Sequence, residues 1–205
     1  MALPLFVKGL ILGFAIAAPV GPIGVLCIRR SLADGQRAGL ATGLGAATAD
    51  AIYGCVAGFG LAAVSRFLVE QRFWLGLLGG LFLCYLGART FFSKPAQNPE
   101  STRKTSLLGA YLSTFFLTIT NPMTILSFVA VFAGLGLVTS ANYWEATSLV
   151  AGVFLGSALW WLFLSTGAAL LRKRVGPSLM QLINRISGVV IFVLGVYALF
   201  GLVKG

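Results

Sequence analysis

Asp50 is the one acid of this chain that lies well inside an apolar run. A charged side chain at the centre of a bilayer costs roughly 2.5–3.5 kcal/mol even on the mildest scale, so acids in that setting usually face a cavity and carry a task. Burial penalises the charged form of a carboxyl. Asp50 therefore reads as a proton-coupling group, as a partner for a substrate ammonium, or as both in alternation. The plainer alternative is a structural acid hydrogen-bonded to a neighbouring helix. Thr48 and Tyr53 flank it.

A second kind of chemistry comes from the backbone. Two apolar runs are broken by proline near their middles, at Ala18-Pro19-Val20-Gly21-Pro22 and at Thr120-Asn121-Pro122. Proline removes a backbone donor and pushes the preceding residue toward extended conformation. The first helix should stop near Ala18 and restart at Pro22. At the second break Asn121 suits an N-cap and Pro122 a first helical position. Each restart would expose a helix N-terminus, whose N–H groups favour anions. A carboxylate is the obvious guest; a pair of purely structural kinks is the alternative. Broken helices are tolerated in lipid only where protein or a water-filled cavity surrounds them. Paired breaks in two halves of a chain point to a transporter's binding site. The candidate substrate-binding residues are accordingly Pro19, Gly21, Pro22, Tyr53, Thr118, Asn121, Pro122 and Trp160, with Asp50 as the proton-coupling residue. Thr114 and Thr120 add hydroxyls, although threonine often bonds back to its own helix. Trp160 or Trp161 could line the cavity, whereas Trp144 suits an interface anchor.

Other chemistries fare worse. The chain has no histidine, which removes His-based triads, zinc sites with His ligands and His-held haem. Cys27, Cys55 and Cys84 lie in separate apolar runs without CxxC spacing and read as three buried thiols packing as small hydrophobes. A membrane-embedded enzyme or redox carrier would need paired catalytic groups, and Asp50 is alone. A channel or metal-ion exporter is the alternative transport reading, though one acid is few for a divalent ion. No cofactor is expected.

The elements that must position these groups are helices in a membrane. Of 205 residues, 58% are hydrophobic and 10% charged, against about 25% charged in a soluble domain. Uncharged stretches such as 9–28, 105–144, 146–171 and 186–203 are long enough to span a bilayer. The expected fold is an all-α integral membrane protein with six crossings, at about 5–28, 38–65, 73–92, 106–138, 146–171 and 183–203. Lys8 followed by Ala15-Ile16-Ala17 resembles a cleavable signal peptide, but the apolar run continues to Ile28, so a retained first helix is expected. The formal net charge of +10 sits in short loops, where it sets topology and meets lipid headgroups rather than nucleic acid. The loops after helices 1, 3 and 5 carry eleven basic residues (Arg29, Arg30 and Arg37; Arg89, Lys94, Arg103 and Lys104; Arg172, Lys173, Arg174 and Arg185) against four on the other side. Both termini should then be external and the polar linker cytoplasmic. Splitting 105–144 into two crossings at Asn121-Pro122 would give eight against seven, and each span would be short.

The chain divides into one transporter domain, residues 1–205, with a repeat at about 1–92, a linker at about 93–105 and a second repeat at about 106–205. Three helices per half would make the repeats inverted. Gly80, Leu86, Gly87 and Phe92 match Gly188, Leu194, Gly195 and Phe200 at a constant offset of 108, and Gly45 to Tyr53 has the spacing of Gly152 to Trp160. Gly39, Gly43, Ala47 and Ala51, and likewise Gly152 and Gly156, are spaced to let helices approach closely.

Gly13 through Gly39, with Ala-Pro-Val-Gly-Pro, then Arg29-Arg30-Ser31-Leu32 and Gly35-x-x-Ala38-Gly39, resembles the opening of the LysE/RhtB amino-acid exporter family. Asp50 falls where that family often has a Gly-Asp pair, and Asn121-Pro122 matches its Asn-Pro element. Two positions depart: Val20-Gly21-Pro22 replaces Pro-Gly-Pro, with Pro19 one place earlier, and Ala49-Asp50 replaces Gly-Asp. The first departure could reshape the pocket, so substrate identity does not carry over. The resemblance spans essentially the whole chain. It implies export of amino acids or related zwitterions from the bacterial cytoplasm, driven by the proton gradient, by a multi-pass inner-membrane protein, whose termini the charge count places on the periplasmic side. Its partners would be the substrate, protons and the lipid bilayer; a homo-oligomer is compatible with all of this.

Overall fold

A computed structural model describes residues 4–18, 21–58, 67, 70–93, 106–121, 124, 127–128 and 143–204. Its helices are α1 (Leu5–Ala17), α2 (Pro22–Asp34), α3 (Gln36–Gly58), α4 (Arg72–Phe91), α5 (Leu107–Ile119), α6 (Tyr143–Leu171) and α7 (Pro177–Lys204), with a 3-10 turn at Arg172–Arg174. Among the described residues there is no strand.

The first break falls where proline chemistry put it. α1 ends at Ala17 with Ala18 as its C-cap, and α2 opens with Pro22 at its first position behind an extended Gly21. The missing N–H of Pro22 would have had no helical acceptor anyway. Pro19 lies outside the described residues. α5 ends at Ile119, and the Thr124 N–H donates to the Asn121 carbonyl at 3.1 Å. Pro122, and with it the restart expected there, is also outside the described residues.

One expectation needs correction. Arg29 and Arg30 are not loop residues: α2 runs on to Asp34, and only Gly35 separates it from α3. Gly35 has φ 95° and ψ 172°, a region essentially confined to glycine, so the turn is made by one residue. Arg89 and Arg185 likewise lie on helices, α4 and α7. Of the expected six crossings, 38–65 and 106–138 lie partly outside the described residues, and the rest can be judged by length and apolarity. Three described helices qualify, within Phe73–Phe91, Tyr143–Leu171 and Ser178–Leu202, and a fourth if α1 and α2, bent by 82°, count as one span. α3 has the length, at 23 residues, but not the apolarity. Its reason is position: it packs against α2, α5 and α6, so most of its surface meets protein and can carry Gly, Thr and Asp.

Small residues set the packing. α1 lies parallel on α6, with Gly9 against Leu149 and Gly13 against the Val153 carbonyl, while Gly152 and Gly156 receive the α1 backbone. α3 runs antiparallel to α6, with Gly39 at Ser165, Gly43 at Trp161 and Gly54 at Val153, and parallel to α5, with Gly45 over Tyr111. α4 and α7 pair antiparallel through Gly80, Gly87, Gly188 and Gly195. Without a hydrophobic drive between helices in lipid, such close backbone approach supplies the contact. Leu78, Leu81 and Tyr85 of α4 and Val193, Tyr197 and Phe200 of α7 remain exposed, an apolar exterior suited to acyl chains. Trp144, near the start of α6, is exposed, as an interface anchor would be. The thiols are less uniform than expected: Cys27 is buried, whereas Cys55 and Cys84 are half-buried.

Candidate functional site

Asp50 is buried at the crossing of α3 and α6, with 4% of its surface exposed. Ser157 Oγ donates to its Oδ2 at 2.7 Å, and Trp161 Nε1 donates to Ser157 Oγ at 3.1 Å. Ser157 and Trp161 are four apart, one turn of α6, so both reach the same face. The carboxyl is thus held by a neutral relay. In this setting it can exchange a proton or meet an ammonium without a competing fixed cation, because none of its hydrogen-bond partners is charged.

The first break lies beside this relay. Trp161 packs with Ala17 at the end of α1, Cys27 of α2, and Ala46 and Ala47 of α3, and Ile23 in the first turn of α2 packs on the same cluster. Gly21 carries no side-chain cap, and a Cβ there would meet nothing within 4 Å among the described residues.

Tyr53 ties in the second break. One turn from Asp50, it is buried, and its hydroxyl donates to the carbonyl of Ile119, the last residue of α5. It packs with Phe128, Leu149 and Val153, and both Ile16 of α1 and Ile119 of α5 lie on that cluster. The ends of the two interrupted helices thus converge on one group of side chains beside α3.

The remaining expected residues divide. Thr118 is buried, but its hydroxyl donates to the Thr114 carbonyl at 2.9 Å. Thr120 does the same to Phe116 at 2.7 Å. Asn121 is half-buried at the end of α5. Trp160 stands edge-on to Phe14, with ring centroids 5.3 Å apart, and packs against the cluster that holds Trp161, but it is Trp161 whose indole joins the Ser157 relay. Pro19 and Pro122 lie outside the described residues. Among the described residues no three His, Cys, Asp or Glu side chains gather as a metal site would need.

The structure places two further residues in this region that type and spacing did not single out as candidates. Ser157 is one serine among many, but it stands 107 positions after Asp50, the offset that also relates Gly45 to Gly152. Arg30 resembled a topology signal, yet it is 6% exposed, and its guanidinium donates to Thr42, Ser113, Thr114 and the Ala110 carbonyl.

With a proline-broken entry helix, a central polar helix and a buried acid between them, the chain can be set beside known proteins. Residues 14–201 match the LysE type translocator family. The chain belongs to that family. It is 28% identical over 199 residues to "Putative amino acid efflux protein YcgF" of Bacillus subtilis (strain 168), covering 94% of each chain. It is 32% identical over 182 residues to "Uncharacterized membrane protein YahN" of Escherichia coli (strain K12), covering 84% of this chain and 77% of that one. No solved structure matches. This LysE type translocator is therefore a membrane-embedded transport protein built of helices.

Proposed function

We propose that this translocator is a secondary exporter of amino acids or related small zwitterionic metabolites across the bacterial inner membrane, working by proton antiport. The observation that carries the reading is Asp50: a buried acid held by a neutral relay, beside the cluster on which the first turn of α2 packs. An α-amino acid presents a carboxylate and an ammonium together. The opening N–H groups of α2 suit the former, and Asp50 suits the latter or the proton exchanged for it. The efflux relative from Bacillus subtilis supports the same substrate class.

An inverted repeat fits this reading. Gly87 lies on the Phe192 N–H and Gly195 on the Cys84 N–H, and a shift of 108 turns the first contact into the second. Gly45 meets Tyr111 and Phe115 as Gly152 meets Phe6 and Leu10. Asp50 and Ser157 then occupy equivalent positions at the crossing of α3 and α6. The orientation proposed has both termini periplasmic and the 93–105 linker cytoplasmic. Pro19, Gly21, Pro22, Tyr53, Thr118, Asn121, Pro122 and Trp160 are proposed to line the substrate path at different stages.

The direct test is counterflow of radiolabelled amino acids in proteoliposomes. Export driven by an imposed proton gradient is expected in the wild type, rising as the destination side is acidified. Asp50→Asn is expected to lose the gradient-driven part by at least about tenfold. A wild-type rate from Asp50→Asn would end the coupling role.

A further inference from the structure

Arg30 is the buried charge that the exporter mechanism leaves unused. It sits near the end of α2, and its guanidinium crosses to two other helices: Nη1 lies 2.9 Å from Thr42 Oγ1, 3.2 Å from Thr114 Oγ1 and 3.1 Å from the Ala110 carbonyl, and Nη2 lies 2.9 Å from Ser113 Oγ. Every one of these acceptors is neutral. A carboxylate would add a full opposite charge that these acceptors lack, and a guanidinium can meet it with two parallel hydrogen bonds.

The cage is also built so that the guanidinium can leave it. Thr42 donates to the Ala38 carbonyl at 2.9 Å, and Ser113 and Thr114 each donate to the Ala110 carbonyl at 3.0 Å. When Arg30 departs, all three hydroxyls keep a partner and Ala110 keeps two donors, so no buried group is orphaned. The neighbouring Ser31 hydroxyl is fully buried against Gly39 and the Cys27 thiol. At its C-terminal end α2 joins α3 through the one-residue Gly35 turn.

We propose that Arg30 is the group that reads the substrate's carboxylate on the linker side of the membrane. The incoming carboxylate takes the guanidinium from its hydroxyl cage and so releases α2 from α3 and α5, opening the path toward Asp50. This deepens the exporter reading and rests on it for the substrate's chemistry.

Cys27 is a native reporter of the release. It is fully buried one turn before Ser31, with its thiol on the Gly39 carbonyl at 3.5 Å. In a Cys55→Ala, Cys84→Ala background, its reaction with a membrane-impermeant maleimide is followed in inside-out vesicles. The probes are a mixture of the standard amino acids and, separately, a mixture of their amides. Slow basal labelling is expected, accelerated about fivefold or more by the amino acids and not by the amides. Arg30→Gln is expected to label fast without ligand and to ignore both mixtures. Ser113→Ala, which removes the one acceptor at Nη2, should label at an intermediate rate while the folded fraction on size exclusion is unchanged.

Equal acceleration by amides would overturn carboxylate reading. Wild-type labelling and response in Arg30→Gln or Ser113→Ala would overturn the cage release. Counterflow in the same preparations separates this from the parent reading. If the wild type transports no amino acid, the exporter assignment fails, whereas transport with unchanged labelling in every arm sinks Arg30 alone.

Discussion

Ser157 donates to the Asp50 carboxyl across the α3 and α6 crossing, and Trp161 donates to Ser157 in turn. A hydrogen bond to a charged group is worth about 1.5–3 kcal/mol, so the carboxyl's position depends on this one hydroxyl, and under the proposed mechanism so does transport. Ser157→Ala is expected to slow counterflow about tenfold with normal protein yield, and Ser157→Thr, which restores a hydroxyl, should retain most of the rate. Equal rates for alanine and wild type would reduce Ser157 to packing. Asp50 was legible in the sequence because an acid in an uncharged run has few harmless explanations. Ser157 was not, because a serine there has many, and only its place opposite Asp50 gives it this one. Arg30 was misread for a related reason: near the end of an apolar run, arginine ordinarily reports topology, and its burial depends on where Thr42, Ser113 and Thr114 come to lie.

At the scale of elements, the glycine seams hold α1, α3 and α6 close enough for these contacts. Gly13 has no room for a methyl group, since the Val153 backbone occupies the place. Gly13→Ala must push α1 off α6, at a cost of about 1–3 kcal/mol. Gly167 lies on α6 with open space around its Cα, so Gly167→Ala should gain about 0.5–1 kcal/mol from helix entropy alone. Thermal unfolding in detergent should therefore move in opposite directions for the same chemical change. A midpoint unmoved by Gly13→Ala would contradict the seam. The four-residue spacing announced close packing in advance, and the proline break announced the ends of α1 and α2 nearly to the residue. The length of α2 was not visible, because an apolar-run boundary at Arg29 looks the same whether the helix stops or merely turns inward. The moderate apolarity of α3 follows from its covered position, which no local pattern discloses.

For the whole molecule, the basic residues assigned to one side gather through contacts that join distant elements. Arg29 of α2 donates to Asn184 of α7 at 2.9 Å and to Ser93 beyond α4 at 3.1 Å, and Arg172 beyond α6 donates to the Ala33 carbonyl of α2 at 3.0 Å. Arg172 there also meets the negative end of the α2 dipole. The chain segments after α2, α4 and α6 thus share one end of the molecule, as an even number of crossings between them requires. Arg30 is buried and counts less as a surface signal, and without it the proposed orientation rests on ten basic residues against four. On the proposed orientation, alkaline phosphatase fused after Gly205 is expected to be active and a green fluorescent protein fused there dark, with the reverse for fusions within 94–105. Splitting 105–144 into two crossings would put the C-terminus inside and light the fluorescent fusion. Replacing Arg172, Lys173 and Arg174 by glutamine leaves the majority on the same side, so the reporters should not exchange. An exchange would mean that the last loop, rather than the bias summed over all three, sets how the protein enters the membrane.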